Sequence, residues 1–126
     1  MYTDKLKTFD CPLALAISVL SGKYKVEILF CLYLKTMRFN ELLRHIPKAS
    51  SKVLSQQLKE LEADGIINKK VYPEIPPRTE YSLTETGRKT QPIIAAMYRW
   101  GEEIFSDNNV EIPCRDEDVK ILLGEQ

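Results

Sequence analysis

Apolar residues near the start of this chain are grouped in two segments with the character of helices. Residues 12–20 form a short apolar run that stops before Gly22, a residue that commonly ends helices. Residues 23–36 are apolar almost all round, as in a helix that is buried on most sides. We therefore predict two helices here, the second of them at the centre of the core.

Two further helices, joined by a short turn, are predicted next. The first covers residues 38–46, has apolar side chains spaced for burial, and ends at Pro47. Ser50 or Ser51 is expected to cap the second, because a serine hydroxyl accepts a hydrogen bond from a free N–H group at a helix start. The inner stripe of this second helix consists of three leucines, Leu54, Leu58 and Leu61.

The opposite face of the second helix carries no large apolar side chain. Lysine suits phosphates or guanine, glutamine suits adenine, and serine suits several bases. A merely solvated amphipathic helix would show the same pattern, so the neighbouring elements decide between the two interpretations. The candidate DNA-contacting residues of this helix are Ser51, Lys52, Ser55, Gln56, Gln57 and Lys59.

A β-hairpin is predicted after Asp64-Gly65, because apolar and polar residues then alternate with a period of two. Its predicted tip contains three prolines and Arg78, and this arginine could enter a minor groove or lie along a phosphate backbone. A purely structural hairpin is the alternative, but prolines restrict the loop to few shapes, which is useful for a tip that binds. Helix, turn, helix and hairpin in this order predict a winged helix-turn-helix with a two-stranded wing, an α+β fold that is mainly α.

Three more cations are candidates for contact with DNA. Lys23 and Lys25 stand at the start of the central helix, where free N–H groups favour a phosphate. Solvated surface lysines are an equally good interpretation of this pair. Arg38, at the start of the first helix of the helix-turn-helix, is the third.

A long helix is predicted from Thr84, its cap, to about Phe105, with a bend near Pro92. Its apolar stripe exceeds what so small a domain can bury internally, so we predict a dimer interface, with packing inside one chain as the alternative. The N-terminal helix is predicted to share this interface. The residues assigned to it are Leu13, Ile17, Ile93, Ile94, Met97, Trp100 and Ile104.

The formal net charge of the 126 residues is zero, which at first argues against nucleic-acid binding. The charges are unevenly distributed, however: residues 1–106 carry 16 basic and 12 acidic side chains, and residues 107–126 carry 2 and 6. We therefore divide the chain into an arm (1–10), a DNA-binding and dimerisation domain (11–106) and an acidic tail (107–126). Residues 119–123 of the tail are apolar enough to dock on the domain.

Enzymatic chemistry finds little support in the sequence. The single histidine, His45, lies at a predicted helix end, where imidazole commonly caps carbonyls. Cys11, Cys31 and Cys114 lack the spacing of a zinc site, so neither a metal nor a cofactor is predicted. The apolar run after Lys7 lacks the cleavage signal of a secretory peptide, and a cytoplasmic location is expected.

Six blocks of the sequence, taken together, resemble the HxlR-type winged-helix transcriptional regulators of bacteria and archaea. The resemblance spans about residues 11–103. Tyr24 is a departure from it, since the family usually has tryptophan after Gly-Lys. The blocks are Cys11-Pro12 and residues 22–25, 38–42, 54–65, 71–84 and 100–101.

The resemblance implies a homodimer that binds pseudo-palindromic operator DNA, under the control of an oxidant or a small effector. It also directs attention to Cys11, because several members sense electrophiles or oxidants through a cysteine at the Cys-Pro position. A helix N-terminus favours the reactive thiolate, which makes this role physically reasonable. The alternative for Cys11 is a small buried hydrophobic residue.

Three functions of different classes compete as interpretations of this sequence. A DNA-binding transcriptional regulator is the leading hypothesis. A winged-helix module that binds proteins without reading DNA is the second, and operator binding that depends steeply on salt would separate the two. An enzyme is the third, and the sequence offers it no nucleophile-base pair.

Overall fold

The computed structural model of the chain describes residues 3–112 and 117–124, so Cys114 lies outside the described residues. The elements confirm the predicted winged helix-turn-helix architecture. In chain order they are α1 Thr3–Thr8, α2 Pro12–Leu20, α3 Lys25–Leu34, β1 Met37–Arg38, α4 Phe39–His45, α5 Ser51–Ala63, β2 Ile67–Tyr72, β3 Arg78–Leu83, α6 Glu85–Arg88, α7 Gln91–Asp107 and α8 Glu117–Leu123.

Helix α3 forms the centre of the core, as its apolar sequence predicts. Ile28 and Leu29 are fully buried, and the helix contacts α4, α5, α7, α8 and β3. It begins two residues later than predicted, because Tyr24 adopts a left-handed backbone with φ of 72°. This conformation is unfavourable for a residue other than glycine. The Tyr24 hydroxyl donates a hydrogen bond to the carbonyl of Lys48 (3.1 Å), which ties the start of α3 to the turn between α4 and α5.

The helix-turn-helix consists of α4 and α5. The hydroxyl of Ser50 accepts a hydrogen bond from the N–H of Val53 (3.1 Å), so Ser50 is the cap of α5. The ring Nδ1 of His45 lies 2.9 Å from the carbonyl of Glu41, in the predicted position at a helix end. The inner stripe of α5 lies in the core, with Leu54, Leu58 and Leu61 all buried.

The predicted hairpin is present as β2 and β3, which pair antiparallel from Ile67 opposite Leu83 to Tyr72 opposite Arg78. A third strand, β1, pairs with β3, so the sheet has the order β1-β3-β2. Strand β1 was not predicted, because a strand of two residues is too short to show alternation. Strand β2 is left at the edge of the sheet.

The long helix predicted from Thr84 onward is interrupted. Thr84 does act as a cap, since its hydroxyl accepts from the N–H of Gly87 (3.0 Å), but it caps the short helix α6. Helix α7 then starts at Gln91, which puts Pro92 in its first turn. A proline there lacks only an N–H that would have no helical partner, so the expected bend is replaced by a new helix start.

Both ends of the described chain contact the domain. The ammonium group of Lys5 in α1 lies 2.7 Å from the Asp64 carboxylate at the end of α5, and it also donates to the carbonyl of Ser18 in α2 (2.9 Å). Helix α8 packs on α3 and α7, with Leu122 and Leu123 buried. Among the described residues, no helix is long and apolar enough to cross a membrane.

Candidate nucleic-acid interface

The outward face of α5 is polar and accessible. Ser51, Lys52, Gln56 and Lys59 are exposed, and Ser55 is half-buried. Lys52 and Gln56 lie one helical turn apart, so their side chains project from neighbouring points on one face. Five of the six residues predicted on this helix are therefore available to a ligand.

Gln57 is the exception, and its assignment to DNA contact was wrong. It is only 8% exposed, because its position lies between those of Leu54 and Leu61 on the inner face. Its side-chain amide donates a hydrogen bond to the carboxylate of Glu60 (3.0 Å). Gln57 therefore positions α5 within the domain.

The assignment of Lys25 to phosphate contact was also wrong. Lys25 is only 2% exposed, and its Nζ lies 3.5 Å from the carboxylate of Glu60 on α5. A Cβ at Gly22 would stand 2.6 Å from Oε1 of Gln57 and 2.7 Å from Cδ of Lys25, so a larger residue there would have to displace these two side chains. These four residues form the Lys25 cluster, which joins the start of α3 to α5. Lys23 remains exposed, as predicted.

The wing holds its arginine close to its own strands. The guanidinium carbon of Arg78 lies 3.8 Å from the ring centre of Tyr72, a cation–π contact, and one of its nitrogens lies 3.4 Å from the carboxylate of Glu74. Lys70 also lies over the Tyr72 ring, at 4.7 Å. Arg78 therefore lies at the base of the wing loop, with one of its guanidinium nitrogens beside the Glu74 carboxylate.

Arg38 is exposed just before α4, beside an acidic residue whose charge is already compensated. Its backbone N–H donates to the Glu41 carboxylate (3.1 Å), and Lys35 lies 3.0 Å from the same group. These contacts lower the pKa of Glu41, with the Arg38 N–H as the first cause. The Glu41 carboxylate thus contacts Lys35 and the backbone N–H of Arg38, and the Arg38 side chain is exposed.

Three exposed lysines near this surface were missed. Lys48 lies in the turn between α4 and α5, and Lys69 and Lys70 lie on the edge strand β2. Lys69 and Lys70 were not predicted as DNA contacts because the hairpin was predicted from its alternating apolar residues. Their positive charge could have indicated them, since adjacent lysines on an edge strand both reach solvent.

A second accessible surface, the α2–α7 face, is apolar. It contains six of the seven residues predicted for a dimer interface, and the largest of them, Trp100, is 66% exposed. Leu20 and Val26 line the groove between the two helices. The six exposed residues are Leu13, Ile17, Ile93, Met97, Trp100 and Ile104.

Ile94 was wrongly included in that set. It is only 4% exposed, because it lies on the side of α7 that packs into the core. Ile93 and Ile94 are both apolar and adjacent, so the spacing of the stripe does not by itself tell which of them is turned inward.

Comparison with known proteins gives a consistent result for this architecture. The model of the HxlR-like helix-turn-helix family matches residues 19–109. The chain belongs to this family. An HTH-type transcriptional regulator of Methanothermobacter thermautotrophicus is 44% identical over 92 residues, which cover 73% of this chain and 70% of the relative.

Solved structures agree with the family assignment. The HTH-type transcriptional regulator ytcD superposes with a TM-score of 0.73 at 40% identity, covering 76% of this chain and 98% of that one. The redox regulator HypR in its oxidised form superposes with a TM-score of 0.69 at 43% identity, covering 74% and 96%. The family and these relatives are transcriptional regulators, so the chain is a regulator of this class and not an enzyme.

The two described cysteines of this family member lie in opposite environments. Cys11 is exposed and stands immediately before α2 as its N-terminal flanking residue, so the buried alternative considered for it is wrong. Cys31 is buried in α3. Its burial, with the nearby carboxylates of Glu27 and Asp118, raises the pKa of the Cys31 thiol to about 11. Cys31 is therefore buried, as its place in an apolar helix predicts, and its raised pKa favours the neutral thiol near pH 7.

Proposed function

We propose that this regulator binds a pseudo-palindromic DNA operator as a homodimer, with α5 in the major groove and the wing beside it. The observation that carries the proposal is the outward face of α5, where Lys52, Gln56 and Lys59 are exposed and no large apolar side chain is present. Such a face offers the donors and acceptors that read base edges. A regulator of this kind acts where the chromosome is, so we expect it inside the cell.

The dimer in this proposal forms through the α2–α7 face. Contiguous apolar surface of this kind marks an interaction site in most proteins. A two-fold axis there would place two copies of α5 for two half-sites, which must lie about 34 to 36 Å apart to meet successive major grooves. The same requirement makes DNA binding sensitive to any rotation of one subunit against the other.

Binding to duplexes selected from a randomised pool by the protein tests this function. Gln56→Ala should cost about 1 to 3 kcal/mol and relax the preference for the selected sequence, because it removes a base contact. Lys23→Ala should instead weaken selected and random duplexes alike and reduce the salt slope by about one, because it removes a phosphate contact. Lys120→Ala on α8 is the matched control, and it should bind like the parent.

Two results would contradict the proposal. If Gln56→Ala and Lys23→Ala both bound like the parent, the DNA-contacting surface would lie elsewhere. If the protein selected no duplex and its weak binding lacked sequence preference, the module that binds proteins without reading DNA would replace the operator-binding regulator.

A second part of the proposal is redox control through Cys11. The thiol is exposed at the start of α2, the helix that contributes Leu13 and Ile17 to the α2–α7 face. A modification there would change the packing of that face and, through the spacing of the two α5 helices, the affinity for an operator. That HypR, a structure 43% identical to this chain, is a redox regulator supports this role.

Operator binding with and without a mild oxidant tests the role of Cys11. We expect the oxidant to change the affinity of the parent and to leave Cys11→Ser unaffected. An unchanged parent, or a Cys11→Ser variant that responds like the parent, would show that Cys11 is not the sensor. A small effector other than an oxidant would then be the remaining route of control.

A further inference from the structure

The most exposed large apolar side chain of the described residues lies at the tip of the wing. Tyr72 and Arg78 are the last paired residues of β2 and β3, so the loop between the strands consists of the five residues 73–77. Ile75 is its central residue, and it is 102% exposed, which means that it has no covering contact at all. Single exposed hydrophobic residues are common, so this exposure needs further support before it indicates a function.

The position of Arg78 supplies the first support. Because Arg78 contacts Tyr72 and Glu74, the arginine of the wing is held at the base of the loop. The sec-butyl side chain of Ile75 is therefore fully open to a surface that the tip of the loop approaches. Apart from Glu74, whose carboxylate lies 3.4 Å from Arg78, the loop is apolar, although a phosphate backbone would favour a cation there.

The composition of the loop is the second observation that supports a function for Ile75. Pro73, Pro76 and Pro77 surround Ile75, and each proline has a fixed φ. A loop restricted in this way loses little conformational entropy when its tip is inserted into a partner, so more of the binding free energy is retained.

The charges around the loop are the third observation that supports a function for Ile75. Lys69 and Lys70 are exposed on the strand that leads into it, and Arg38 and Asn40 line a groove on its other side together with Ile75. Glu74 lines the same groove, and its negative charge is offset by Arg78, 3.4 Å away. Cationic and amide groups beside an apolar wedge are what proteins use to enter a minor groove and unstack a base step. A protein partner would need an apolar patch, whereas the flanking cations match a nucleic acid.

We propose that Ile75 inserts between two base pairs in the minor groove next to the site of α5, unstacking that step and bending the duplex. Pyrimidine–purine steps are the easiest to unstack, so the wing adds a sequence preference for such a step without any hydrogen bond to a base. This inference rests on the proposed operator binding, because it concerns the same complex.

The test uses a duplex of about 30 base pairs, enough for two half-sites, selected from a randomised pool by the parent protein. A 2-aminopurine placed at successive positions reports unstacking as a rise in fluorescence, and dyes at the two ends report bending. Ile75→Ala should bind about ten- to fiftyfold more weakly, because most of a buried aliphatic side chain is lost. It should also abolish the local fluorescence rise and reduce the bend.

Two control variants sharpen the result. Val71→Ala truncates another exposed aliphatic residue, on β2 before the loop, and should bind and unstack like the parent. Ile75→Leu keeps the apolar volume and should retain most of the fluorescence rise. Because Ile75 is fully exposed, neither Ile75→Ala nor Ile75→Leu should change the unfolding midpoint.

The outcomes separate this inference from the proposed function. If Ile75→Ala binds, unstacks and bends the duplex like the parent, the insertion is overturned and operator binding stands. A loss of affinity without any fluorescence rise in the parent also overturns it, because Ile75 would then be a surface contact and not a wedge. A parent that binds no duplex overturns both proposals together.

Discussion

Helix α7 has two apolar faces, and only one of them is covered by other described residues of the chain. One face packs into the core, where Ile94 and Ala95 are buried, and α8 lies against the same helix with Leu122 buried. The other face forms part of the α2–α7 face, with Met97 and Trp100 both at least half exposed. The two faces contain the same kinds of side chain and differ only in direction around one helix axis.

The difference shows that apolar composition does not tell how a face is covered. Removing apolar surface from water contributes about 25 cal/mol per Å², so both faces gain from a cover. The chain provides a cover for the inner face through the core and α8, whereas the outer face requires a second copy in the proposed dimer. A charged substitution on the inner face should therefore unfold the subunit, whereas one on the outer face should weaken the proposed dimer.

The largest effect is expected from Ile94→Glu, on the covered face. An unpaired carboxylate in the core costs several kcal/mol, which is comparable with the whole stability of a small domain. Circular dichroism should show loss of the cooperative unfolding transition. Ile93→Glu, one residue away on the exposed face, should remain folded. A folded Ile94→Glu variant that merely dissociates would show that the two faces have been assigned the wrong way round.

A smaller effect is expected from Leu122→Ala in α8. Truncation of a buried leucine typically costs about 2 to 5 kcal/mol, because it removes contacts and leaves a cavity. The free energy of unfolding, measured with a chemical denaturant, should fall by that amount. Ile121→Ala, on the exposed side of the same helix, should cost much less. Equal losses from the two variants would mean that α8 does not dock through Leu122.

The smallest effect on the folded subunit is expected from Met97→Glu, at the centre of the exposed face. The subunit should keep its unfolding midpoint at low concentration, because Met97 is exposed there. Its dimer should be weaker by about 1 to 3 kcal/mol, since a charge would be desolvated in an apolar contact. Sedimentation equilibrium measures this change, with Met97→Leu as a control that should assemble like the parent. A parent that sediments as a monomer at micromolar concentration would remove the basis of the dimer.

Much of this fold could be predicted because its signals are local. The apolar run 12–20 coincides with α2, a serine marks the start of α5, and alternation marks β2 and β3. These features depend on residues that are near one another in the sequence. The docking of residues 119–123 was predicted as well, from their apolar character.

What could not be predicted depends on contacts between distant residues. Lys25 reads as an exposed lysine at a helix start, and its burial depends on Glu60, which lies 35 positions away. Ile93 and Ile94 are equivalent in the sequence, and only the packing of α7 distinguishes them. Arg78 was assigned to the tip of the wing from its position after the prolines, whereas the strand register pairs it with Tyr72.

The buried thiol of Cys31 can report how often helix α8 detaches from the domain. Asp118, one of the groups that raise the pKa of this thiol, belongs to α8, so a subunit whose α8 has detached would have a more accessible and more acidic Cys31. The rate at which a thiol reagent labels Cys31 therefore measures how often α8 opens. Exposed Cys11 supplies an internal reference for the reagent in the same sample, so that the opening of one helix can be timed without introducing a new cysteine.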